Sequence, residues 1–159
     1  MYYTSIDTKM GKLLIVGDEK GIRNVDFQGK RGALKIDNNW IEDKDNEVLK
    51  DAVEQLEAYF DGSLEEFDLP LAPVGTPFQE SVWGALTEIP YGKLASYKDI
   101  AEKIDNPKAA RAIGGANNKN PISIIIPCHR VIGANGYLVG YGGGLSVKQY
   151  LLNLEGIEI

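Results

Sequence analysis

An isoleucine-rich apolar run leads into the least common residues of the chain. Residues 121–126 read Pro-Ile-Ser-Ile-Ile-Ile, and Pro127, Cys128 and His129 follow directly. A short continuous apolar run predicts a buried strand. Pro127 should end its ladder, because proline has no N–H to donate. The predicted strand therefore leads into a turn that carries the only cysteine and the only histidine of the sequence.

The adjacency of a thiol and an imidazole predicts a reactive cysteine. Cysteine is a nucleophile as its thiolate, and its pKa of about 8.5 falls beside a base or at a helix N-terminus. Histidine titrates near neutral pH and can accept the proton. The alternative is a structural Cys128 next to a solvated His129. The pair alone leaves both interpretations open.

The charge of the chain is divided unevenly along its length. A stretch rich in proline and glycine, Asp-Leu-Pro-Leu-Ala-Pro-Val-Gly at residues 68–75, predicts a boundary between domains at 1–72 and 73–159. The 159 residues carry a net charge of −6. The first domain has 9 basic and 16 acidic residues, net −7, and the second has 8 and 7, net +1. A polyanionic partner should therefore contact the second domain.

The composition also predicts a cellular compartment. No apolar run approaches the roughly 20 residues of a membrane span, and the first residues lack the basic and apolar regions of a signal peptide. One cysteine forms no internal disulfide, and Cys128 with His129 supplies too few ligands for structural zinc. We expect a cytoplasmic, reduced protein that uses no metal or other cofactor and binds no membrane.

The first domain is predicted to combine an antiparallel sheet with one helix. Three β-prone runs, Tyr2 to Ile6, Lys12 to Val16 and Ile22 to Phe27, alternate with glycine-containing turns. Asn46 can cap a helix that runs to about Phe60. No catalytic set of residues stands in this half, which we interpret as a scaffold.

The second domain is predicted to be mainly helical. Thr76, followed by Pro77 and Gln79, has the pattern of a capping box with proline at the first helical position. Ser96 should cap a short helix, and Asn106 with Pro107 should begin another. Two short helices joined by a few residues are typical of a helix-turn-helix, although helical hairpins are also common in ordinary cores.

The second helix of that pair surrounds one long cation with small residues. Ala110, Gly114 and Gly115 flank Arg111, and each glycine should cost about 1 kcal/mol in a helix interior. One interpretation is close packing against another helix. The other is a helix laid into a nucleic-acid groove, with Arg111 entering the base stack. The scarcity of polar side chains favours recognition of shape over sequence.

Two further features lie near the end of the chain. Residues 140–144 read Gly-Tyr-Gly-Gly-Gly, a loop that can approach a flat ligand or a phosphate closely. It lacks the Lys-Ser/Thr ending of a phosphate loop, which argues against nucleotide hydrolysis. Ser146 and Gln149 predict a capping box for a last helix that ends near Glu155. One interpretation of Glu155 is a solvated residue at the helix end. A carboxylate is unfavourable at that end of a helix dipole, so the other interpretation is a hydrogen bond with His129.

Residues 126–131, Ile-Pro-Cys-His-Arg-Val, resemble the active-site motif of the O6-alkylguanine-DNA alkyltransferases. The resemblance covers nearly all of residues 76–156, and the first domain is similar to the family's N-terminal domain only in length and in the order of strands and helix. The other matching stretches, in family order, are Thr76-Pro77-Phe78-Gln79, Val82-Trp83, Ile89-Pro90-Tyr91-Gly92, Ser96-Tyr97, residues 110–116, Asn120-Pro121 and Gly143-Gly144-Leu145.

The resemblance implies an α+β, two-domain protein whose C-terminal domain is winged-helix-like. It implies DNA repair by irreversible transfer of a methyl or larger alkyl group from O6 of guanine, and potentially from O4 of thymine, to Cys128. The implied activity is that of a methylated-DNA–protein-cysteine S-methyltransferase acting once per molecule. The implied partner is double-stranded DNA with the damaged nucleotide flipped out, bound by a monomer.

The resemblance also implies roles for individual residues. His129 would act on Cys128 through a water, with Glu155 orienting the imidazole. Asn120 would hold the active-site turn, and Tyr97 would stabilise the leaving guanine. The residues implied to contact substrate or DNA are Arg111, which fills the space of the flipped nucleotide, its neighbours Ala110, Gly114 and Gly115, the backbone of Cys128 and Val131, and Tyr141, Gly142 and Gly143. Family members often have serine where this chain has Gly142.

Two other functions remain open. The protein could be a non-catalytic sensor of alkylated DNA, in which Cys128 is unreactive and lesion binding changes no mass. It could also be a cysteine hydrolase that uses Cys128, His129 and Glu155 over many turnovers. Single-turnover stoichiometry would exclude the hydrolase.

Overall fold

The structure, a computed structural model, describes residues 1–30, 32–133 and 144–158. The chain divides into two compact units. The first comprises Met1–Val74 and Pro121–Ser123, and the second comprises Gly75–Asn120 and Ile124–Ile159. None of the helices in the described ranges has the length and hydropathy that crossing a membrane requires.

A four-stranded sheet forms the first unit. Strands β1 (Tyr2–Thr8), β2 (Gly11–Asp18) and β3 (Gly21–Phe27) make the predicted antiparallel meander, which is confirmed. A two-residue strand, β4 (Ile41–Glu42), pairs in parallel with β1 and gives the order β3-β2-β1-β4. Strand β4 was not predicted, because two exposed residues carry no hydrophobic pattern.

Helix α1 (Glu47–Phe60) covers this sheet. It begins where predicted, because the side chain of Asn46 accepts hydrogen bonds from the N–H groups of Val48 and Leu49. Its buried face contacts β1, β2 and β3 and forms the core of the unit; the buried residues of the helix are Leu49, Ala52, Leu56 and Tyr59.

The predicted strand before Cys128 is wrong. Only Ile122 forms a β-bridge, with Val25 of β3, where the Val25 N–H donates to the Pro121 oxygen at 2.9 Å and the Ser123 N–H donates to the Val25 oxygen at 3.0 Å. Ile124 then adopts a φ of 75°. That left-handed conformation is strained for a β-branched residue and cannot continue a ladder. The apolar run is buried as a turn.

The described residues of the second unit form four α-helices and a short parallel ladder. The helices are α2 (Pro77–Leu86), α3 (Tyr97–Lys103), α4 (Ala110–Asn118) and α5 (Leu145–Leu154), and the ladder pairs β5 (Ala95–Ser96) with β6 (Val131–Ile132). The capping box of Thr76 with Gln79 and the cap at Ser96 are confirmed. The Trp83 Nε1–H donates to the Ala116 oxygen at 2.9 Å, which joins α2 to α4.

Two predicted helix starts are wrong. Asn106 does not cap α4, because a turn closed by the Ala109 N–H on the Asn106 oxygen at 3.1 Å precedes the helix. Ser146 does not cap α5, because the helix begins at Leu145 and its N-cap is Gly144, where φ is 100°. Helices α3 and α4 are consecutive and contact each other. Their use as a helix-turn-helix stays a prediction.

Candidate functional site

Cys128 begins a single turn of 3₁₀ helix, Cys128–Arg130, directly after Pro127. Its side chain is buried, with 3% of its surface exposed. The Asn120 Nδ2–H donates to the Ile126 oxygen at 2.7 Å and closes the preceding turn. This bond ties the side chain of Asn120 to the turn that precedes the thiol.

The thiol of Cys128 is not activated in the way that the sequence suggested. Burial raises its pKa to about 11, although a hydrogen bond from Asn120 and the positive charge of Lys148 act in the opposite direction. At neutral pH the sulfur therefore carries its proton. Attack by this sulfur requires a base that removes the proton during the reaction.

His129, the next residue, carries the imidazole of this site. Its side chain is fully buried, and Nε2 lies 2.6 Å from Oε2 of Glu155, so the predicted hydrogen bond between these residues is confirmed. Burial lowers the pKa of His129 and so favours the neutral ring, while the Glu155 carboxylate acts in the opposite direction. A carboxylate only accepts, so the proton lies on Nε2 and Nδ1 is an acceptor. In the described part of the chain, Nδ1 has no hydrogen-bond partner.

Arg130 holds the carboxylate that orients His129. Its Nε–H donates to Oε1 of Glu155 at 2.8 Å and its Nη2–H to Oε2 at 3.2 Å. The Nη1–H donates to the Ile89 oxygen at 2.6 Å, and the guanidinium lies 5.8 Å from the ring centre of Tyr91. The cation stabilises a carboxylate that is itself fully buried. Sequence reasoning missed this role, since Arg130 was noted only as part of a motif.

Lys148 is a second buried cation that the sequence analysis missed. Its side chain is fully buried in α5, and Nζ donates to the Val131 oxygen at 2.5 Å. Burial lowers its pKa to about 8, and the negative charge that Cys128 carries when it is ionised acts in the opposite direction. A signal was available in the sequence, because Lys148 stands three and four residues before the apolar Leu151 and Leu152, on the buried face of the helix.

Asn117 approaches the same turn from α4. Its side chain is 1% exposed, and Nδ2 donates to the Cys128 oxygen at 3.4 Å. Its Oδ1 has no hydrogen-bond partner in the residues that the structure describes. The helical spacing of Ile113, Ala116 and Asn117 was the available signal for a buried polar residue.

Tyr97 lies at the same site, at the start of α3. Its side chain is half-buried, and burial together with the charge of Cys128 raises the pKa of its phenol. A Cβ added at Gly114 would lie 3.9 Å from the Tyr97 ring, so α4 packs beside this ring. The phenol therefore stays protonated at neutral pH and can donate.

The outer face of α4 is exposed and made of small residues around Arg111. Ala110, Arg111 and Gly115 are exposed, and a Cβ added at Gly115 would meet no atom of the described residues within 4 Å. Internal packing therefore does not require glycine at 115. This observation argues against close packing of α4 against another helix at this position. It favours a surface that an external partner can approach closely.

The remaining predicted contacts divide into two groups. Val131 is buried, its N–H donates to the Cys128 oxygen, and its oxygen accepts from Lys148. Tyr141, Gly142 and Gly143 lie outside the described residues. Within the described ranges, no group of three or more His, Cys, Asp or Glu side chains is arranged to hold a metal ion.

A buried cysteine followed in sequence by a histidine that pairs with a carboxylate is typical of proteins with a cysteine nucleophile. Two family profiles match the chain: "6-O-methylguanine DNA methyltransferase, ribonuclease-like domain" at residues 1–73, and "6-O-methylguanine DNA methyltransferase, DNA binding domain" at residues 77–157. The chain belongs to the 6-O-methylguanine DNA methyltransferase family. This family is the one that the motif resembled, so the prediction is confirmed.

Individual relatives cover nearly the whole chain. The methylated-DNA–protein-cysteine methyltransferase of Methanosarcina acetivorans is 53% identical over 98% of this chain and 99% of its own length. The protein of the same name in Haemophilus influenzae is 45% identical over 99% of this chain and 87% of its own. The structure of Mycobacterium tuberculosis OGT in complex with DNA matches with a TM-score of 0.89 at 46% identity, covering 98% of this chain and 92% of that one.

Proposed function

We propose that this protein repairs DNA directly, by moving a methyl or larger alkyl group from O6 of guanine to Sγ of Cys128. The S–C bond forms as the C–O6 bond breaks, and the electron pair of the broken bond stays with guanine. A thioether offers water no good leaving group, so each molecule acts once. The chain's similarity to proteins named for this transfer supports repair over lesion sensing alone.

The observation that carries the proposal is the buried hydrogen bond between Glu155 and His129, the residue that directly follows Cys128. Because the pKa of the thiol is raised to about 11, only about one sulfur in ten thousand is ionised at pH 7. The 2.6 Å contact fixes the tautomer in which Nδ1 accepts a proton. His129 takes the thiol proton through one water, and Glu155 stabilises the imidazolium.

Tyr97 supplies the proton that leaves with guanine. Its raised pKa keeps the hydroxyl protonated, so it can donate to the purine as the negative charge develops there. The proton held by His129 then restores the phenol through solvent. One proton leaves the thiol and one reaches guanine, so the transfer is balanced. Asn120 holds the turn that carries the nucleophile.

DNA binds through the outer face of α4, in this proposal. The exposed Ala110 and Gly115 let a sugar-phosphate backbone come close, and Arg111 is the long side chain that occupies the space left by an extruded nucleotide. Extrusion is required because a sulfur cannot approach O6 in line with the C–O bond inside stacked DNA. The low exposure of Cys128 fits a site that one base must enter. We propose that a monomer performs this reaction in the cytoplasm.

The test is the stoichiometry of transfer from a duplex that carries one labelled O6-methylguanine. We expect one methyl group per protein molecule at completion, with none transferred to Cys128→Ser. Turnover beyond one equivalent would support a hydrolytic mechanism instead. Lesion binding without transfer would support the sensor.

The role of Arg111 is tested by two substrates. Arg111→Ala should lose at least about tenfold in rate on duplex and keep its rate on free O6-benzylguanine, because only the duplex has a nucleotide to replace. Lys119→Ala is the matched control, since it also removes one exposed positive charge at the end of α4. Equal losses on both substrates would show that Arg111 does not act by filling the space of the extruded nucleotide.

A further inference from the structure

Two hydrogen-bond acceptors with no partner are buried in the same site. Among the described residues, Asn117 Oδ1 and His129 Nδ1 are the buried side-chain atoms that lack a hydrogen-bond partner. Leaving such an atom unpaired costs about 1–3 kcal/mol. Two such acceptors in one site indicate that a single donor binds both of them in the active protein.

A hydrogen bond ties the side chain of Asn117 to the backbone next to His129. Asn117 Nδ2 donates to the oxygen of Cys128, the carbonyl whose peptide bond leads to His129. This bond also fixes which end of the amide is which, because exchanging the two atoms would place two oxygens together. Oδ1 is thus the free end of a side chain anchored at the Cys128–His129 peptide.

A water molecule fits the chemistry of these groups. It can donate one hydrogen to Asn117 Oδ1 and one to His129 Nδ1, while its oxygen accepts the S–H of Cys128. Buried waters make about three such bonds. With only the histidine as acceptor, the water could rotate and offer its lone pair away from the thiol.

We propose that Asn117 is a positioning residue, which orients the water between Cys128 and His129 so that its lone pair faces the thiol. This inference rests on the proposed function. The proton passes from Sγ to the water, and a water proton passes to Nδ1, as sulfur bonds to the alkyl carbon and the guanine oxygen leaves. Asn117 itself gains and loses nothing. In this proposal the exposed face of helix α4 binds DNA, and its buried face positions the water that transfers the proton.

The first test compares Asn117→Leu with Asn118→Leu, the same change one residue later at an exposed position of the helix. Transfer from free O6-benzylguanine is followed by intact mass as a function of pH. We expect Asn117→Leu to be about 10- to 100-fold slower at pH 7 and Asn118→Leu to match the unchanged protein.

The pH profile separates positioning from a structural role. At pH 10, one unit below the pKa of Cys128, about a tenth of the thiol ionises without help, so the deficit of Asn117→Leu should narrow. Among the residues that the structure describes, the charged and titratable groups facing the pair are Glu155, Arg130, Lys148 and Tyr97. They are present in both proteins, so their effect on the ratio of rates largely cancels. A deficit that stays constant with pH would overturn the proposal.

A double variant supplies an independent criterion. If Asn117 acts through the water that serves His129, then Asn117→Leu should add little to the loss caused by His129→Gln. If the loss of rate in the double variant equals the product of the two single losses, the two residues do not act through the same water. If the unchanged protein transfers its alkyl group and Asn117→Leu is as fast, this inference alone fails. If the unchanged protein transfers nothing, the proposed function fails.

One measurement needs no variant, in case Asn117→Leu does not fold. The sequence has a single histidine, so the imidazole nitrogen signals in a ¹⁵N NMR spectrum belong to His129 without assignment. We expect a protonated Nε2 and a Nδ1 shifted by an accepted hydrogen bond. A protonated Nδ1, or an imine nitrogen without a hydrogen bond, would overturn the inference.

Discussion

Replacing Arg130 by methionine tests how the buried carboxylate is stabilised. The variant removes two hydrogen bonds to Glu155, at 2.8 and 3.2 Å, and one to the Ile89 oxygen at 2.6 Å. It leaves a fully buried carboxylate next to a neutral imidazole. Breaking a buried pair from one side costs about 3–5 kcal/mol. We therefore expect the free energy of unfolding of the second unit to fall by about that amount.

The control is a solvent-exposed ion pair in the same unit. Lys103 Nζ lies 3.5 Å from Glu88 Oε2, with 43% and 61% of the two side chains exposed. Lys103→Met makes the same change in net charge as Arg130→Met and should cost less than about 1 kcal/mol. The difference between the variants isolates the effect of burial.

The assay is urea unfolding followed by tryptophan fluorescence. The sequence has two tryptophans, so a Trp40→Phe background leaves Trp83, buried in the second unit, as the reporter. With a slope of about 2 kcal/mol per molar urea, Arg130→Met should lower the midpoint by about 1.5–2.5 M. Adding Glu155→Gln should recover part of the loss, because no unpaired charge remains. Equal midpoints for Arg130→Met and Lys103→Met would refute the reasoning.

Three further predictions concern other residues of the second unit. Lys148 has a folded pKa of about 8, below its unfolded value of 10.5, so the unfolded state binds more protons between these values and the native protein gains stability as pH rises. Between pH 7 and 10, urea unfolding should show Lys148→Met losing about 2–3 kcal/mol of stability relative to the unchanged protein. A difference between the two proteins that stays constant with pH would contradict this. Gly115→Ala should raise the free energy of unfolding by about 0.5–1 kcal/mol while weakening duplex binding in a fluorescence anisotropy titration, and unchanged binding would argue against a DNA-facing α4. Tyr97→Phe should slow transfer from free O6-benzylguanine as well as from duplex, and a loss confined to duplex would move the phenol away from the chemistry.

Local signals made much of the fold predictable. Asn46, Thr76 and Ser96 cap their helices as expected, because a cap depends on a few consecutive residues. The meander followed from alternating β-prone runs and glycine turns. Ser146 shows the limit of such reasoning, since a glycine two residues earlier supplies the N-cap and the side-chain cap never forms.

The turn before Cys128 was not predictable from pattern. A run of three isoleucines favours a strand, and only tertiary packing explains why Ile124 is held at a φ of 75° with its side chain buried. Periodicity reports that such a run is buried but does not report its backbone conformation.

The candidate site was predictable only in part. Adjacency indicated Cys128 and His129, and an unfavourable position at a helix end indicated Glu155. Arg130 and Lys148 were missed because a buried cation is recognised by its partners, and those partners, Glu155 and the Val131 oxygen, come from distant positions in the sequence. The raised pKa of the thiol likewise depends on burial, which no neighbour in the sequence reveals.

The central claim is that the sulfur of Cys128 receives the alkyl group. Protein incubated with a duplex containing one O6-methylguanine is digested, and its peptides are analysed by mass spectrometry. We predict that the peptide containing Cys128 gains the mass of one methylene unit, that fragment ions place the gain on the cysteine, and that Cys128→Ser shows no change. Repaired DNA together with an unmodified Cys128, or a methyl group on another residue, would contradict the account.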